Sequence, residues 1–261
     1  MTKSWLGRFL QNKLVRKVPE ITIYFWIIKL LTTAVGESTS DFMVHQIDPA
    51  IAVLIGALGF SIAIVLQFMV KKYIAWIYWL TVTMVAIFGT MAADVLHVGL
   101  GVPYLVSTSL FFIALMVIFA TWYLSEKTLS IHSINTRKRE IFYWLTVMAT
   151  FALGTAAGDM SATTLQLGYL TSGIIFGVLF ILPLGGYKLF KMNEIFTFWF
   201  AYIMTRPFGA SFADWTGRTP DMGGIGWGTG KVSIVLGILI ILFVIYLTIS
   251  RIDTNLENAA P

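Results

Sequence analysis

Four tryptophans, Trp26, Trp79, Trp144 and Trp199, each open the same register. In every copy an aromatic residue stands directly before the tryptophan (Phe25, Tyr78, Tyr143, Phe198). A glycine follows ten residues after it (Gly36, Gly89, Gly154, Gly209) and an aspartate fifteen residues after it (Asp41, Asp94, Asp159, Asp214). Agreement at these landmarks without a gap marks four tandem copies of one structural unit, which constrains the chain to an architecture in which like units pack alike. The second and third copies are closest, YWLTVTMVAIFGTMAAD against YWLTVMATFALGTAAGD.

The solvent of this architecture follows from composition. The chain is 57% hydrophobic and 12% charged, about half the charge of a soluble domain. A stretch of about 20 apolar residues spans the hydrocarbon core of a bilayer, and eight such stretches are predicted, over 20–42, 50–70, 74–97, 103–124, 141–162, 168–189, 194–215 and 230–250. Each unit therefore supplies two helices, one carrying the tryptophan and aspartate and one plainer. The expected fold is all-α: a polytopic membrane protein of eight transmembrane helices from four parallel two-helix repeats, packed with pseudo-fourfold or two-by-two symmetry. The polar run SEKTLSIHSINTRKRE divides it into halves, so the segments read as 18–124 (repeats one and two), a linker at 125–140, 141–251 (repeats three and four) and a tail at 252–261.

Charge sets orientation. All but four of the lysines and arginines lie at the amino terminus, at Lys71 and Lys72, in the linker, at Lys188 and Lys191, or at Arg251. By the positive-inside rule both termini are expected in the cytoplasm (N-in/C-in). Because these cations flank apolar segments, the net charge of +5 implies no nucleic-acid partner; the lipid bilayer is the partner expected. There is no cysteine, which excludes disulfides, thiolate metal sites and cysteine nucleophiles. Residues 1–17 are basic, with Leu6, Phe9, Leu10 and Leu14 at helical spacing and no small-residue cleavage site after them. They read as an amphipathic segment lying at the membrane interface.

The chemistry rests on the carboxylates. Each aspartate sits about 22 Å along its helix from the tryptophan, in the half of the membrane away from the cytoplasm. Four residues before it, on the same helix face, stand Glu37, Thr90, Thr155 and Ala210. Besides Glu20, Lys188, Glu194 and Lys231 at span ends, the spans hold Glu37 and four aspartates against only Lys29 and Arg206. Ionised side chains cost a few kcal/mol at the bilayer centre, so protons or a bound cation must neutralise the surplus. Carboxylate and hydroxyl oxygens are hard ligands, and His45 and His97, just beyond their aspartates, are weaker candidates that would add nitrogen. The ligand set expected is Asp41, Asp94, Asp159, Asp214, Glu37, Thr90 and Thr155, with Arg206 and Lys29 compensating charge. Arg206 directly precedes Pro207, so the seventh helix is expected to kink or unwind there. The tryptophans read as packing residues or interface anchors.

These registers, with VPEITIYFWIIKLLTTAVGE and FWFAYIMTRPFGASFAD, resemble a family of bacterial inner-membrane proteins defined by a repeat of unknown function. Its members carry four tandem copies, each with two transmembrane segments and a signature tryptophan, and the resemblance runs from about Lys17 to Arg251. It implies architecture and a multi-pass bacterial inner-membrane location, and it implies no activity.

The residues by themselves favour a transporter or exporter of a small cation, with a divalent metal such as Mn²⁺ as substrate and protons competing for the same carboxylates. No catalytic residue and no resident cofactor is expected. The alternative is a sensor or scaffold whose aspartates join repeat to repeat. An intramembrane aspartyl protease is disfavoured, because four equivalent aspartates exceed a dyad. Since the chain lacks cysteine, orientation is directly testable: a Ser133→Cys variant should react with a membrane-impermeant maleimide only in inside-out vesicles, and Thr219→Cys only in right-side-out ones. Labelling from the opposite sides would overturn the orientation.

Overall fold

The computed structural model describes residues 16–254, so the expectation for the amino-terminal segment falls almost wholly outside the described residues, and that for the tail does so in part. The described chain is all-helical, with no strand. In chain order the long helices are α1 (Ile23–Gln46), α2 (Pro49–Met69), α3 (Ala75–Asp94), α4 (Tyr104–Glu126), α5 (Arg137–Asp159), α6 (Gly168–Phe190), α7 (Glu194–Gly217) and α8 (Thr229–Ser250). Their starts obey local rules. Thr22, Asp48, Thr136 and Asn193 each cap a helix by accepting from backbone N–H groups of its first turn. Lys127, Lys191 and Arg251 end α4, α6 and α8 in the left-handed conformation. Six helices (α2 to α6 and α8) are long and apolar enough to cross a membrane. The remaining two, α1 and α7, carry Lys29, Glu37 and Asp41, and Arg206 and Asp214.

The odd-numbered helices form an inner ring and the even-numbered helices surround it. Each outer helix leaves its own repeat and packs on the inner helix of the next: α2 on α3, α4 on α5, α6 on α7, and α8 back on α1. The outer helices bury only a narrow stripe, as in α8 with Val232, Ile240 and Leu247, and present residues such as Leu54, Ile113, Ile181 and Ile241 outward. An exterior of this kind suits a lipid bilayer, not water.

Two sets of contacts close the inner ring. The first is aromatic: the residue before each tryptophan packs against the tryptophan of the next repeat, Phe25 on Trp79 at 5.6 Å between ring centroids, Tyr78 on Trp144 at 5.6 Å, Tyr143 on Trp199 at 6.3 Å and Phe198 on Trp26 at 5.7 Å. The second lies at the register glycines, each of which faces the residue seven positions after the tryptophan of the next repeat. A Cβ on Gly36 would stand 2.5 Å from Ala86 Cβ, on Gly89 3.1 Å from Phe151 Cβ, on Gly154 2.5 Å from Arg206 Cβ and on Gly209 2.7 Å from Thr33 Cβ. The fourth repeat thus meets the first as the others meet one another. The packing is a closed pseudo-fourfold ring, with all four tryptophans at one end and the aspartates toward the other.

The linker does not stand apart from this core. Ile131 and Ile134 are buried in it, and Lys17 pairs with Glu140 at 2.6 Å. Of the kink or unwinding expected at Pro207, the unwinding does not occur, and α7 runs through it as one helix. Proline removes one intrahelical hydrogen bond, and its ring packs beside the Arg206 stem over Gly154 of the neighbouring helix.

Replacing a mid-helix glycine by alanine ordinarily stabilises by about 0.5–1 kcal/mol. At Gly36 and Gly209 the sign should reverse, with a loss of about 1–3 kcal/mol from overpacking. Gly237, with nothing near its Cβ position, should tolerate alanine. Thermal unfolding of the three purified variants in detergent checks this.

Candidate functional site

A helix repeats its face about every four residues, so positions three, seven, eleven and fifteen after each tryptophan stack along the ring axis. At the level of the eleventh position stand Glu37, Thr90, Thr155 and Ala210. Three of these converge on one group, the fully buried guanidinium of Arg206. Its Nη2 shares two N–H groups among three acceptors, Glu37 Oε2 at 2.7 Å, Thr155 Oγ1 at 2.7 Å and Thr90 Oγ1, and its Nη1 donates to the Thr33 carbonyl at 3.1 Å. Every repeat therefore contributes to this knot. Thr90 and Thr155, expected as metal ligands, give their hydroxyl oxygens to Arg206.

Below the knot lies Lys29. It is buried, and its Nζ sits 3.9 Å from the centroid of the Phe151 ring and 4.2 Å from that of Tyr202, with no hydrogen-bond partner among the described residues. Ring faces attract an ammonium through their quadrupole, so the side chain is held on the axis. It neither reaches Glu37, which Arg206 takes, nor extends toward the surface.

Above the knot the aspartates gather. The ligating atoms of Glu37, Asp41 and Asp214 lie within 4.8 Å of one another, and so do those of Asp94, His97 and Asp159. Glu37, Asp41, Asp94, Asp159 and His45 line one cavity of about 800 Å³ together with Tyr104, Thr163 and Tyr169. The helices α3 and α5 end at their aspartates, and each passes straight into a π-helical turn, Val95–Gly99 and Met160–Thr164. Turns of this kind recur at functional sites. The one in the second repeat swings His97 into a buried position beside Asp94. His45 is exposed and its ring Nδ1 bonds the Asp41 carbonyl at 2.6 Å.

One member of the site is absent from the sequence reading. Arg218, just past the end of α7, folds back so that its Nε donates to Asp214 Oδ1 at 2.7 Å while its Nη2 pairs with Asp41 Oδ2 at 2.9 Å. Burial works against its charge, but Asp214 and Asp41 more than offset this, and its pKa is raised above the ordinary arginine value. The Asp214 to Arg218 spacing of four residues is the sequence signal that could have found it. Within this cluster, Arg206 and Arg218 leave Asp94 and Asp159 without an ion-pair partner among the described residues.

A family model described as Repeat of Unknown Function (DUF347) matches the chain four times in tandem, over 24–73, 77–128, 142–193 and 197–253. Each match opens two residues before its tryptophan. No curated protein and no solved structure matches the chain.

Removing one member of a buried ion pair strands the other and costs about 3–5 kcal/mol, whereas replacing both with apolar residues is often near neutral. Arg206→Met should therefore lower the thermal stability of the detergent-solubilised protein sharply, and Arg206→Met with Glu37→Leu should recover much of the loss. Additive losses in the double variant would contradict a direct pair.

Proposed function

We propose, for a chain that belongs to the Repeat of Unknown Function (DUF347) family, that it moves a small divalent cation across a membrane, with the aspartate cavity as the binding end of the path. The observation that carries this reading is the convergence of carboxylates from all four repeats at one end of a buried axis. Surplus negative charge in a low-dielectric cavity concentrates cations and is neutralised by them. Protons compete for the same oxygens, which couples occupancy to pH.

The axis itself argues for a carrier and not an open pore. The Arg206 knot closes the floor of the cavity and Lys29 adds a second cation beneath it, so passage requires the Glu37–Arg206 pair to rearrange. All eight helices cross the bilayer in this reading, with both termini and the 125–140 linker on the cytoplasmic side, and the host membrane is the bacterial inner membrane. The surplus of lysine and arginine at the tryptophan end supports that orientation.

For two of the four aspartates a structural role also has specific support. Arg218 of the fourth repeat links Asp214 to Asp41 of the first, a contact that ties the ring shut. Loss of either partner should then affect stability as well as transport.

In proteoliposomes, Mn²⁺ flux down its gradient should fall at least tenfold in Asp94→Asn and in Asp159→Asn, with fold retained by thermal unfolding. Wild-type flux in both variants, or no flux above empty vesicles for the parent chain, would remove the transport reading.

A further inference from the structure

The aspartate cluster has two unlike halves. On one side Arg218 stands between Asp41 and Asp214, and Arg206 holds Glu37. On the other side Asp94 and Asp159 meet with His97, and no side-chain cation lies within ion-pair distance of either carboxylate among the described residues. His97 is only 7% exposed. Its Nε2 lies 2.6 Å from Ser107 Oγ, and that hydroxyl sits 3.0 Å from the Tyr104 carbonyl, to which it can only donate. With the Ser107 proton on that carbonyl, the hydroxyl accepts from His97 Nε2–H, and the ring Nδ1 then carries the lone pair. This Nδ1 is buried and has no partner among the described residues. A ring nitrogen of His97 thus meets carboxylate oxygens of Asp94 and Asp159 within 4.8 Å.

We infer that Asp94, His97 and Asp159 form a metal site of one nitrogen and two carboxylates, and that the cargo class is a borderline first-row divalent cation such as Mn²⁺, Fe²⁺, Co²⁺ or Zn²⁺. This deepens the reading of the cavity as a cation site and rests on it. Calcium and magnesium take oxygen ligands, whereas a site that adds one imidazole to two carboxylates and water suits first-row divalent ions, the later ones most strongly. Ser107 is the outer partner that orients a ligating histidine and sets its tautomer. Water from the cavity fills the remaining coordination positions. Arg218 confines the ion to this half by occupying the other, so binding is to one side of the ring and with a stoichiometry of one.

The test is metal binding by the full chain, purified in detergent and stripped with chelator, which reads the site independently of flux. Titration with Co²⁺ followed by visible absorption, and with Mn²⁺ followed by loss of the free-ion electron paramagnetic resonance signal, should give one site per chain. His97→Asn should weaken Co²⁺ at least tenfold and leave Ca²⁺ affinity unchanged. Ser107→Ala, which retains every ligand, should weaken Co²⁺ several-fold, with thermal unfolding confirming that both variants remain folded. Equal Co²⁺ affinity in parent and His97→Asn, or Ca²⁺ bound as tightly as Co²⁺ by the parent, would overturn the inference. Metal bound as described without flux would sink the transport reading alone. Flux that needs the aspartates yet ignores His97→Asn would retain transport and remove the nitrogen ligand.

Discussion

The structure depends on the absence of a side chain at four places. Gly36, Gly89, Gly154 and Gly209 let each inner helix approach the next until a Cβ would crowd its neighbour, at three of the four with no room at all, and the approach is cyclic. Apolar helices gain little from one another by the hydrophobic effect when lipid is the alternative, so close backbone packing at small residues carries much of their association. Once the ring closes, the side chains stacked along its axis are determined by helical periodicity. Residues three, seven, eleven and fifteen after each tryptophan form successive levels, and the chemistry of the protein is the content of those levels.

Repetition alone would give four identical quarters, and the axis is not symmetric. Lys29 occurs in one repeat, Glu37 in the same one, and Arg206 and Arg218 in another. Arg206 spends its donors on three repeats at once and so measures whether all of them are in place. A buried ion pair of this kind contributes little net stability and much specificity, which fits a hub that fixes the register of a ring whose units are nearly interchangeable. Arg218 then divides four equivalent aspartates into a compensated pair and an open pair. The fourfold scaffold thereby carries a side-chain arrangement of lower symmetry.

Much of this was legible in the sequence and some was not. The tryptophan, glycine and aspartate registers gave the helix count and boundaries within a few residues, and the stacking of Glu37, Thr90 and Thr155 below the aspartates followed from helical spacing. What spacing could not give was the common target of these three, because Arg206 reaches across the axis from a helix far away in sequence. Arg218 was hidden for a different reason: it lies beyond the apolar segment and reads as a loop residue until α7 is known to run to Gly217. Spacing also left open whether Pro207 would kink or unwind its helix; α7 runs on as one helix there, with the proline packed against a neighbour that has a glycine opposite. His97 was visible as a residue near an aspartate, but its burial depends on the π-helical turn after Asp94, which no local pattern announces.

Closure of the ring between its last and first repeats is the claim on which the rest stands. Ser233 of α8 donates to Ser38 of α1 at 2.9 Å, joining the final helix to the first, and the chain has no cysteine to complicate labelling. A Ser38→Cys, Ser233→Cys chain should form an intrachain disulfide under mild oxidation, read as a reducible shift in gel mobility at monomer size. Two thiols that stay free and both react with maleimide under those conditions would mean that the ring is open, and the shared axis would go with it.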